Sequence, residues 1–492
     1  MSDYMIRGET LTSIADAIRS KAGVTDAFTP AQMISAIESL GGGTSAVLES
    51  LSVSINGTYT PGTGVDGFDS VVVNVPTQTD AGYSMFVDAV QGGASEINDI
   101  MGAVSTIKRQ AFAEDSALTS VNFPAVTMIG QSAFSSCRSL QTAIFPECIT
   151  ISPAAFRACA LSGFDGQKVT EIREYAFHNC SRLTSVNFPI VSKIESYAFA
   201  GCYSLAMADF SMCTSLGGCA FQNCSLLASV HMPLVESLPT SAFAHCWGLT
   251  ALNFPGLIRI GNAAFYNCSN LRSVNMSGVQ YIEGNAFASC TALSTVTFAQ
   301  ASIIDGGAFA NCTQLDSVSL PACTSIGGNA FMGCSRLSSI NLPLVSNSTC
   351  TQAFARCSAL EEVNVPLIPV VPQAMFFGCY NLKTVNIPIA SHVQSSAFFA
   401  CSSLSTVFLP SCTVIYASAF ASCVNLISVY LPGSSVVTLS NINAFTNTPI
   451  SVSTLTGDFG SIYVPESLVS EYQAAARWST YSSRITAYVE GT

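Results

Sequence analysis

The sequence predicts a solenoid in which successive coils stack, with one short strand of each coil joining a parallel β-sheet on one face. Three observations predict it: an Ala-Phe step recurs along most of the chain, its spacing is nearly constant, and a strand-like alternation follows each copy. A fixed period of about 20 to 50 residues is the signature of stacked repeats. We therefore expect about 16 repeats of 22 residues within the 492-residue chain.

Each repeat is built around one phenylalanine, preceded by alanine except at Phe376, where Met375 precedes it. The spacing is 22 residues, with single departures of 21, 23 and 25. The repeat phenylalanines are Phe112, Phe134, Phe156, Phe177, Phe199, Phe221, Phe243, Phe265, Phe287, Phe309, Phe331, Phe354, Phe376, Phe398, Phe420 and Phe445. Such regularity indicates a tandem array rather than a bias of composition.

The consensus A-F-x-x-C-x-x-L-x-x-V-x-F-P-x-V-x-x-I-x-x-x describes the copies. In the S-V-N-F segment after Phe177, period-two alternation turns Val186 and Phe188 inward and their polar neighbours outward. The proline that follows ends the strand, and strands of successive coils stack about 4.8 Å apart. The Phe, Cys, Leu, Val, second Phe or Leu, Val and Ile columns are thus predicted to form the core.

Within each copy, residues such as Leu183, Val186 and Phe188 reproduce the L-x-x-L-x-L core of a leucine-rich repeat. The array resembles the BspA-like leucine-rich repeats of bacterial surface proteins, and the resemblance covers about 330 residues. It implies a leucine-rich-repeat solenoid over residues 107–446. The segment IYVPESLVSEYQAAARWSTYSSRITAY is similar to the carboxy-terminal cap of the same proteins.

Of the 20 cysteines, all but Cys219 and Cys350 follow the repeat. Fourteen lie three residues after the repeat phenylalanine, and Cys148, Cys213, Cys323 and Cys412 lie fourteen after it, where other copies carry valine. Cysteine alternating with valine behaves as a small buried hydrophobe, so free thiols are predicted. Disulfides between adjacent coils fit the strand spacing as well, and a thiol count would decide. Zinc is not favoured, because paired C-x2-C clusters are lacking.

The first 80 residues are predicted to hold two short modules. Residues 1–43 form a helical pair that cannot bury its apolar stripes alone, so the helices pack on each other and on another chain, with a homotrimer as one arrangement. These stripes are Leu11, Ile14 and Ile18, then Met33, Ile34 and Ile37. Residues 44–80 form a small β module with strands around 51–55 and 71–75.

The segments IRGETLTSIADAIRSKAGVTDAFTPAQMISAIESL and NGTYTPGTGVDGFDSVVVNVP together resemble amino-terminal modules of tail and baseplate-associated proteins from phages and prophages of Gram-positive bacteria. This resemblance covers about 75 residues. It implies attachment to a virion, with other tail or baseplate proteins as partners.

Two further segments flank the array. Residues 81–106 are a transition in which 95–101 permits a short helix, and they cap the first coil, whose Asp115 in place of cysteine fits a more exposed position. Residues 447–492 form an α/β cap with a strand at 462–465, an amphipathic helix over 466–477 and a closing strand over 485–489. Trp478 is expected to pack inside this cap.

Composition excludes several function classes. No run of 18 apolar residues occurs, so no membrane insertion is expected, and the amino terminus lacks the pattern of a secretory signal. The net charge of −12 provides no basic stripe for nucleic acid. Motifs of serine hydrolases, zinc proteases and P-loop enzymes are missing, so we expect no enzyme, no cofactor and no metal site.

The candidate ligand-binding residues are those that the repeat turns outward. Ten residues after the repeat phenylalanine lie Asn253, Asn275, Asn341, Asn364 and Asn386, with His231 and Tyr430 as variants; four after it lie Tyr203, Trp247 and Tyr380. Such a face could bind a host protein or polysaccharide through many weak contacts. The alternatives are that the asparagines stack amide on amide and that the aromatics are scattered surface residues.

Two functions remain from the sequence. The first is a receptor-binding protein of a phage tail or tail fibre, located in the virion and assembled in the host cytoplasm. The alternative is a leucine-rich-repeat adhesin of the bacterial cell surface. The missing secretion signal separates the two, because an adhesin must be exported.

Overall fold

The computed structural model describes residues 96–99, 104–451 and 459–488, together with the backbone of strands 52–54 and 72–74. The predicted helices with Leu11, Ile14, Ile18, Met33, Ile34 and Ile37 lie outside these residues. The fold is a parallel β-solenoid of about 17 turns, which confirms the predicted class. The chain divides into two compact units, Met1–Met232 and Pro233–Thr492, and both use the same coil.

Most coils contain a strand of three residues, a turn, a strand of two residues, and the turns that carry Ala-Phe. The first unit has three-residue strands at Ser52–Ser54, Val72–Asn74, Glu96–Asn98, Ser120–Asn122, Thr142–Ile144, Gly163–Asp165, Ser185–Asn187, Met207–Asp209 and Ser229–His231. Its two-residue strands are Thr106–Ile107, Met128–Ile129, Thr150–Ile151, Glu171–Ile172, Lys193–Ile194 and Ser215–Leu216.

The second unit repeats the pattern. Its longer strands are Ser273–Asn275, Thr295–Thr297, Ser317–Ser319, Ser339–Asn341, Glu362–Asn364, Thr384–Asn386, Thr406–Phe408, Ser428–Tyr430, Ser461–Pro465 and Ile485–Tyr488. Its two-residue strands are Ser237–Leu238, Arg259–Ile260, Tyr281–Ile282, Ile303–Ile304, Ser325–Ile326, Val370–Val371, His392–Val393, Val414–Ile415 and Thr438–Leu439. Pairing between coils is parallel and one repeat apart, as between Val274 and Val296.

The segment before the array differs from its prediction. Glu96–Asn98 is a strand, so the short helix predicted at 95–101 is wrong. Ile97 is buried and pairs with Val121, because a place in the sheet satisfies its backbone better than an isolated helical turn would. The same sheet continues through Val72–Asn74 to Ser52–Ser54, the strands assigned above to a β module.

The predicted core columns are buried. The repeat phenylalanines stack ring on ring within each unit, with centroids 5.0 Å apart at Phe112 and Phe134 and 5.8 Å apart at Phe354 and Phe376. The alanine before each phenylalanine is buried as well and belongs to the core, although the predicted inward set omitted it. Met375 takes the position of this alanine before Phe376 and is buried as well.

The cysteine column combines packing with a hydrogen bond. Thiols along this column donate to the carbonyl oxygen of the repeat phenylalanine one coil earlier, as Cys290 Sγ does to Phe265 O at 3.2 Å and Cys312 Sγ to Phe287 O at 3.2 Å. A buried carbonyl gains a second donor without a bulky side chain. All 20 cysteines are free, and Cys219 alone is half-exposed.

Burial also protects these thiols chemically. It raises the pKa of the Cys290 thiol to about 12, and that of Cys148 to about 12. Because only the thiolate reacts, we expect iodoacetamide at neutral pH to label Cys219 first and nearly alone in the native protein. Mass spectrometry should count 20 alkylated cysteines after unfolding without reductant. If the number of alkylated cysteines is lower than 20 by an even number, the missing cysteines form disulfides between coils.

In the coils from Phe112 to Phe420, two residues adopt left-handed backbone conformations, two positions before and two after the repeat phenylalanine. Ser241 (φ 54°) and His245 (φ 61°) flank Phe243, and Ala374 (φ 52°) and Gly378 (φ 71°) flank Phe376. These residues turn the chain sharply on both sides of Ala-Phe. Sequence inspection missed them because serine, alanine, asparagine and tyrosine occupy most of the positions instead of glycine.

Asp115 is buried, which corrects the expectation of an exposed position in the first repeat. Its side chain is 8% exposed, and Oδ1 accepts hydrogen bonds from the backbone N–H groups of Ala117 and Leu118. Oδ2 has no hydrogen-bond partner among the described residues. Burial raises the pKa of this carboxyl group, against the opposing effect of the two N–H donors. In later coils the backbone carbonyl of the cysteine accepts the corresponding hydrogen bond, as Cys137 O does from Leu140 N at 3.1 Å.

The carboxy-terminal cap follows the prediction in outline. The strands Ser461–Pro465 and Ile485–Tyr488 pair in parallel. Between them lie the 3-10 helices Glu466–Leu468 and Trp478–Arg484 and the α-helix Val469–Ala474, so the helix predicted over 466–477 is shorter than expected. A further 3-10 helix, Ile442–Phe445, ends the last coil. Trp478 is buried against Phe445, as predicted.

Candidate functional site

The outward positions of the longer strands form two columns of side chains along the sheet. In Ser273–Asn275 and Thr406–Phe408 the central residue is buried and both neighbours are exposed. This alternation confirms the predicted orientation. Any ligand of the sheet face therefore meets the first and third residues of each strand.

An amide ladder runs along the third position of three neighbouring strands in the second unit. Asn386 Nδ2 donates to Asn364 Oδ1 at 2.7 Å, and Asn364 Nδ2 donates to Asn341 Oδ1 at 2.6 Å. The amide-on-amide interpretation is thus confirmed for these three residues. Because an amide has two N–H donors and two acceptor lone pairs, the ladder leaves hydrogen-bonding capacity on every rung.

Aromatic side chains continue the same column. Phe408 on the next strand is 49% exposed, and its ring centroid lies 6.3 Å from that of Tyr430. Tyr430 stacks on Tyr463 with centroids 4.6 Å apart and an interplanar angle of 12°. Tyr488 meets Tyr430 edge-on at 5.7 Å. We call Asn341, Asn364, Asn386, Phe408, Tyr430 and Tyr463 the amide–aromatic strip.

The remaining predicted residues are not brought together. Asn275 stands in the same column but faces Thr297, and Asn253 is exposed. His231 is exposed beside Asp209 in the first unit. Tyr203, Trp247 and Tyr380 are all exposed in the turns before the longer strands, each in a different coil and Tyr203 in the other unit.

Sequence reasoning missed Phe408 and Tyr463. Phe408 occupies the asparagine position of its repeat, so a search for departures from the column would have found it. Tyr463 could not be found in this way, because the interval after Phe420 is longer and the repeat count loses its register there. Its pairing opposite Tyr430 is a result of the structure.

Charged side chains lie outside the strip, and several of them form ion pairs. In the first unit, Lys193 bridges Glu171 at 2.9 Å and Glu195 at 2.6 Å, and its hydrogen bond is the main cause that lowers the pKa of Glu171. In the second unit, Lys383 pairs with Glu361 at 2.7 Å. Exposed pairs of this kind contribute little to stability. The outward columns of the second unit are largely uncharged.

In the described part of the chain, neither a metal site nor a membrane-spanning helix is found. Across residues 96–99, 104–451 and 459–488, no group of three or more His, Cys, Asp and Glu side chains is arranged to hold a metal ion. No helix in that part is long and apolar enough to cross a bilayer. The sheet face of the first unit has a shallow depression of about 370 Å³ around Gly163, which lacks a side chain there.

Solved structures similar to this chain include leucine-rich-repeat proteins of bacteria. One from Bacteroides ovatus is 25% identical, with a TM-score of 0.54, and the match covers 78% of this chain and 91% of that one. A leucine rich cell surface protein from Faecalibacterium prausnitzii is 23% identical over 70% of this chain and 89% of its own, with a TM-score of 0.35. No curated protein matches the chain.

The family comparison covers most of the array. The family described as BspA type Leucine rich repeat region (6 copies) matches residues 105–228, 149–272, 236–361 and 351–464. These ranges overlap and span both units. This chain belongs to the BspA-type leucine-rich repeat family.

Proposed function

We propose that this protein is a non-enzymatic binding protein of a bacterial cell surface, an adhesin whose repeat array recognises a macromolecule through its outward strand residues. The observation that carries the proposal is a contrast between columns. The buried columns repeat Phe, Cys and Leu from coil to coil, whereas the outward third position changes among Asn, Asp, His, Phe and Tyr. Packing demands the first set, whereas the second set faces outward and is available for contact with a partner.

The fold supports such a role. A parallel sheet whose strands are fixed by stacked coils holds outward side chains at regular spacing, and repeat arrays commonly bind partners along such surfaces. The exposed aromatics Tyr203, Trp247 and Tyr380 add contact area of the kind that dominates binding energies. Resemblance of the array to repeats of bacterial surface proteins supports the location.

The second candidate is a receptor-binding protein of a phage tail. One observation favours it, the similarity of the two amino-terminal segments to phage tail and baseplate modules. The same array would then present its outward face to a host cell, with residues 1–43 attaching it to the virion. Both candidates place recognition on the array and differ in what holds the amino terminus.

Cell binding and fractionation test the proposal. The fluorescently labelled protein should bind saturably to a panel of bacterial and epithelial cells, and excess unlabelled protein should compete, while heat-unfolded protein should not. Antibody detection should place the protein in the washed envelope of uninfected producing cells. Recovery only from purified phage particles would select the second candidate. A folded protein that binds no cell in the panel would contradict both.

A further inference from the structure

We propose that the amide–aromatic strip of the second unit is a binding site for a neutral oligosaccharide chain. This inference rests on the proposed binding function and names its ligand class. The strip lies on adjacent strands, Ser339–Asn341, Glu362–Asn364, Thr384–Asn386, Thr406–Phe408, Ser428–Tyr430 and Ser461–Pro465. It is therefore one linear surface, suited to a linear ligand.

The ladder offers a repeating pair of one donor and one acceptor. Asn364 uses one N–H and one lone pair in its two ladder bonds, which leaves one of each for a ligand. No described residue donates a hydrogen bond to Oδ1 of Asn386. The ladder therefore ends, beside Phe408, in a carbonyl oxygen that can accept a hydrogen bond from a ligand. A sugar hydroxyl is both donor and acceptor, so neighbouring hydroxyls of one ring match an amide rung in both directions.

The aromatic part supplies the second element of sugar recognition. Tyr430 and Tyr463 cover each other's faces, whereas Phe408 is tilted by 49° from Tyr430 and remains half exposed. The apolar C–H groups on one face of a hexose can pack on such a ring, whose negative face attracts them. The hydroxyls of Tyr430 and Tyr463 make no hydrogen bond to another described residue and add polar groups at the same edge.

The spacing of the strands and the charge of the strip narrow the class of ligand further. Rungs of the sheet lie about 4.8 Å apart, and a hexose unit extends an oligosaccharide by a similar distance, so successive sugars meet successive rungs. The strip contains no charged side chain, and the flanking outward position holds the exposed carboxylate of Glu362. An anionic chain would be repelled there, and a neutral one would not.

A peptide fits the strip less well. Peptides that bind sheets usually add a strand at a free edge, where backbone N–H and C=O groups are open. Here Glu362–Asn364 and Ser428–Tyr430 each pair with a strand on both sides, and the exposed groups are side-chain amides and rings. A peptide could still use Phe408 as an apolar contact, so the experiment below separates the two ligands.

The test uses the full-length protein and a panel of soluble hexasaccharides: β-1,4-linked N-acetylglucosamine, β-1,4-linked glucose and α-linked mannose, with oligogalacturonate and heparin fragments as anionic probes. We expect at least one neutral probe to bind in calorimetry and the anionic probes to fail. Phe408→Ala and Asn364→Ala should each weaken binding about tenfold. Tyr416→Ala, an exposed aromatic outside the strip, should leave affinity unchanged.

Phe408→Leu distinguishes a sugar from an apolar peptide contact. A sugar needs the ring face, so leucine should weaken binding nearly as much as alanine, and Phe408→Trp should preserve it. Thermal unfolding of each variant checks that the fold is retained. If the protein binds cells, but no neutral probe binds or competes and Phe408→Ala has no effect, the oligosaccharide inference fails while the proposed function stands. If the wild-type protein binds no cell at all, the proposed binding function itself fails.

Discussion

Phe287→Ala is expected to lower the free energy of unfolding by about 3 to 5 kcal/mol. The ring is fully buried, and its centroid lies 5.3 Å from that of Phe265 and 5.4 Å from that of Phe309. Alanine would leave a cavity between two rings that cannot close on each other, because the backbone of each coil is hydrogen-bonded to the next. Urea unfolding followed by circular dichroism measures the loss.

Phe408→Ala is the matched control for this prediction. Phe408 belongs to the same array but is half exposed on the sheet face, so its removal should cost less than about 1 kcal/mol. Long repeat arrays can unfold in several steps, so the comparison uses the transition that Phe287→Ala shifts. Equal losses in the two variants would show that the repeat phenylalanines are not the core that the burial pattern indicates.

Trp478→Ala should destabilise the carboxy-terminal end of the second unit by about 3 to 5 kcal/mol. Trp478 is 1% exposed, its Nε1 donates to Val437 O at 2.6 Å, and its ring lies 5.4 Å from that of Tyr472. The cap shields the apolar end of the last coil, and terminal coils of repeat arrays need such shielding. Hydrogen exchange should show faster exchange in residues 438–445 first.

Trp247→Ala provides the control, because the chain has two tryptophans and Trp247 is 47% exposed. We expect its effect on stability to stay within about 0.5 kcal/mol. The loss of stability in Trp478→Phe should lie between those of Trp247→Ala and Trp478→Ala. Phenylalanine keeps most of the packing but leaves the Val437 carbonyl without its hydrogen-bond donor. Unchanged exchange in residues 438–445 of Trp478→Ala would mean that the cap does not hold the last coil closed.

Most of the fold could be predicted because the physical rule repeats. Phe177 and its equivalents recur at one period, and period-two alternation around Val186 assigns inside and outside without knowledge of neighbours. The cysteine column was assigned to the core on the same basis, by exchange with valine. The hydrogen bond from each thiol to the preceding phenylalanine carbonyl was not foreseen, because it joins two coils through a geometry that no spacing contains.

Two predictions were wrong at the amino-terminal boundary of the array. The 95–101 segment has residues that suit a short helix, yet a free sheet edge beside Ser120–Asn122 makes a strand more favourable there. The charge of Asp115 predicts an exposed position, whereas two backbone N–H donors allow the carboxylate to occupy the buried cysteine position. At 95–101 a neighbouring coil decided the outcome, whereas at Asp115 two N–H groups of its own turn did.

The sequence by itself determined the period, the solenoid class and the buried columns, because a repeated apolar pattern has one way to bury itself. It also identified the outward asparagines and Tyr430 as candidates. Only the tertiary structure decided that three of the asparagines form a ladder and that Phe408 and Tyr463 extend it. The reason is physical: contacts between coils depend on register and side-chain rotamers, which residues distant in sequence fix together.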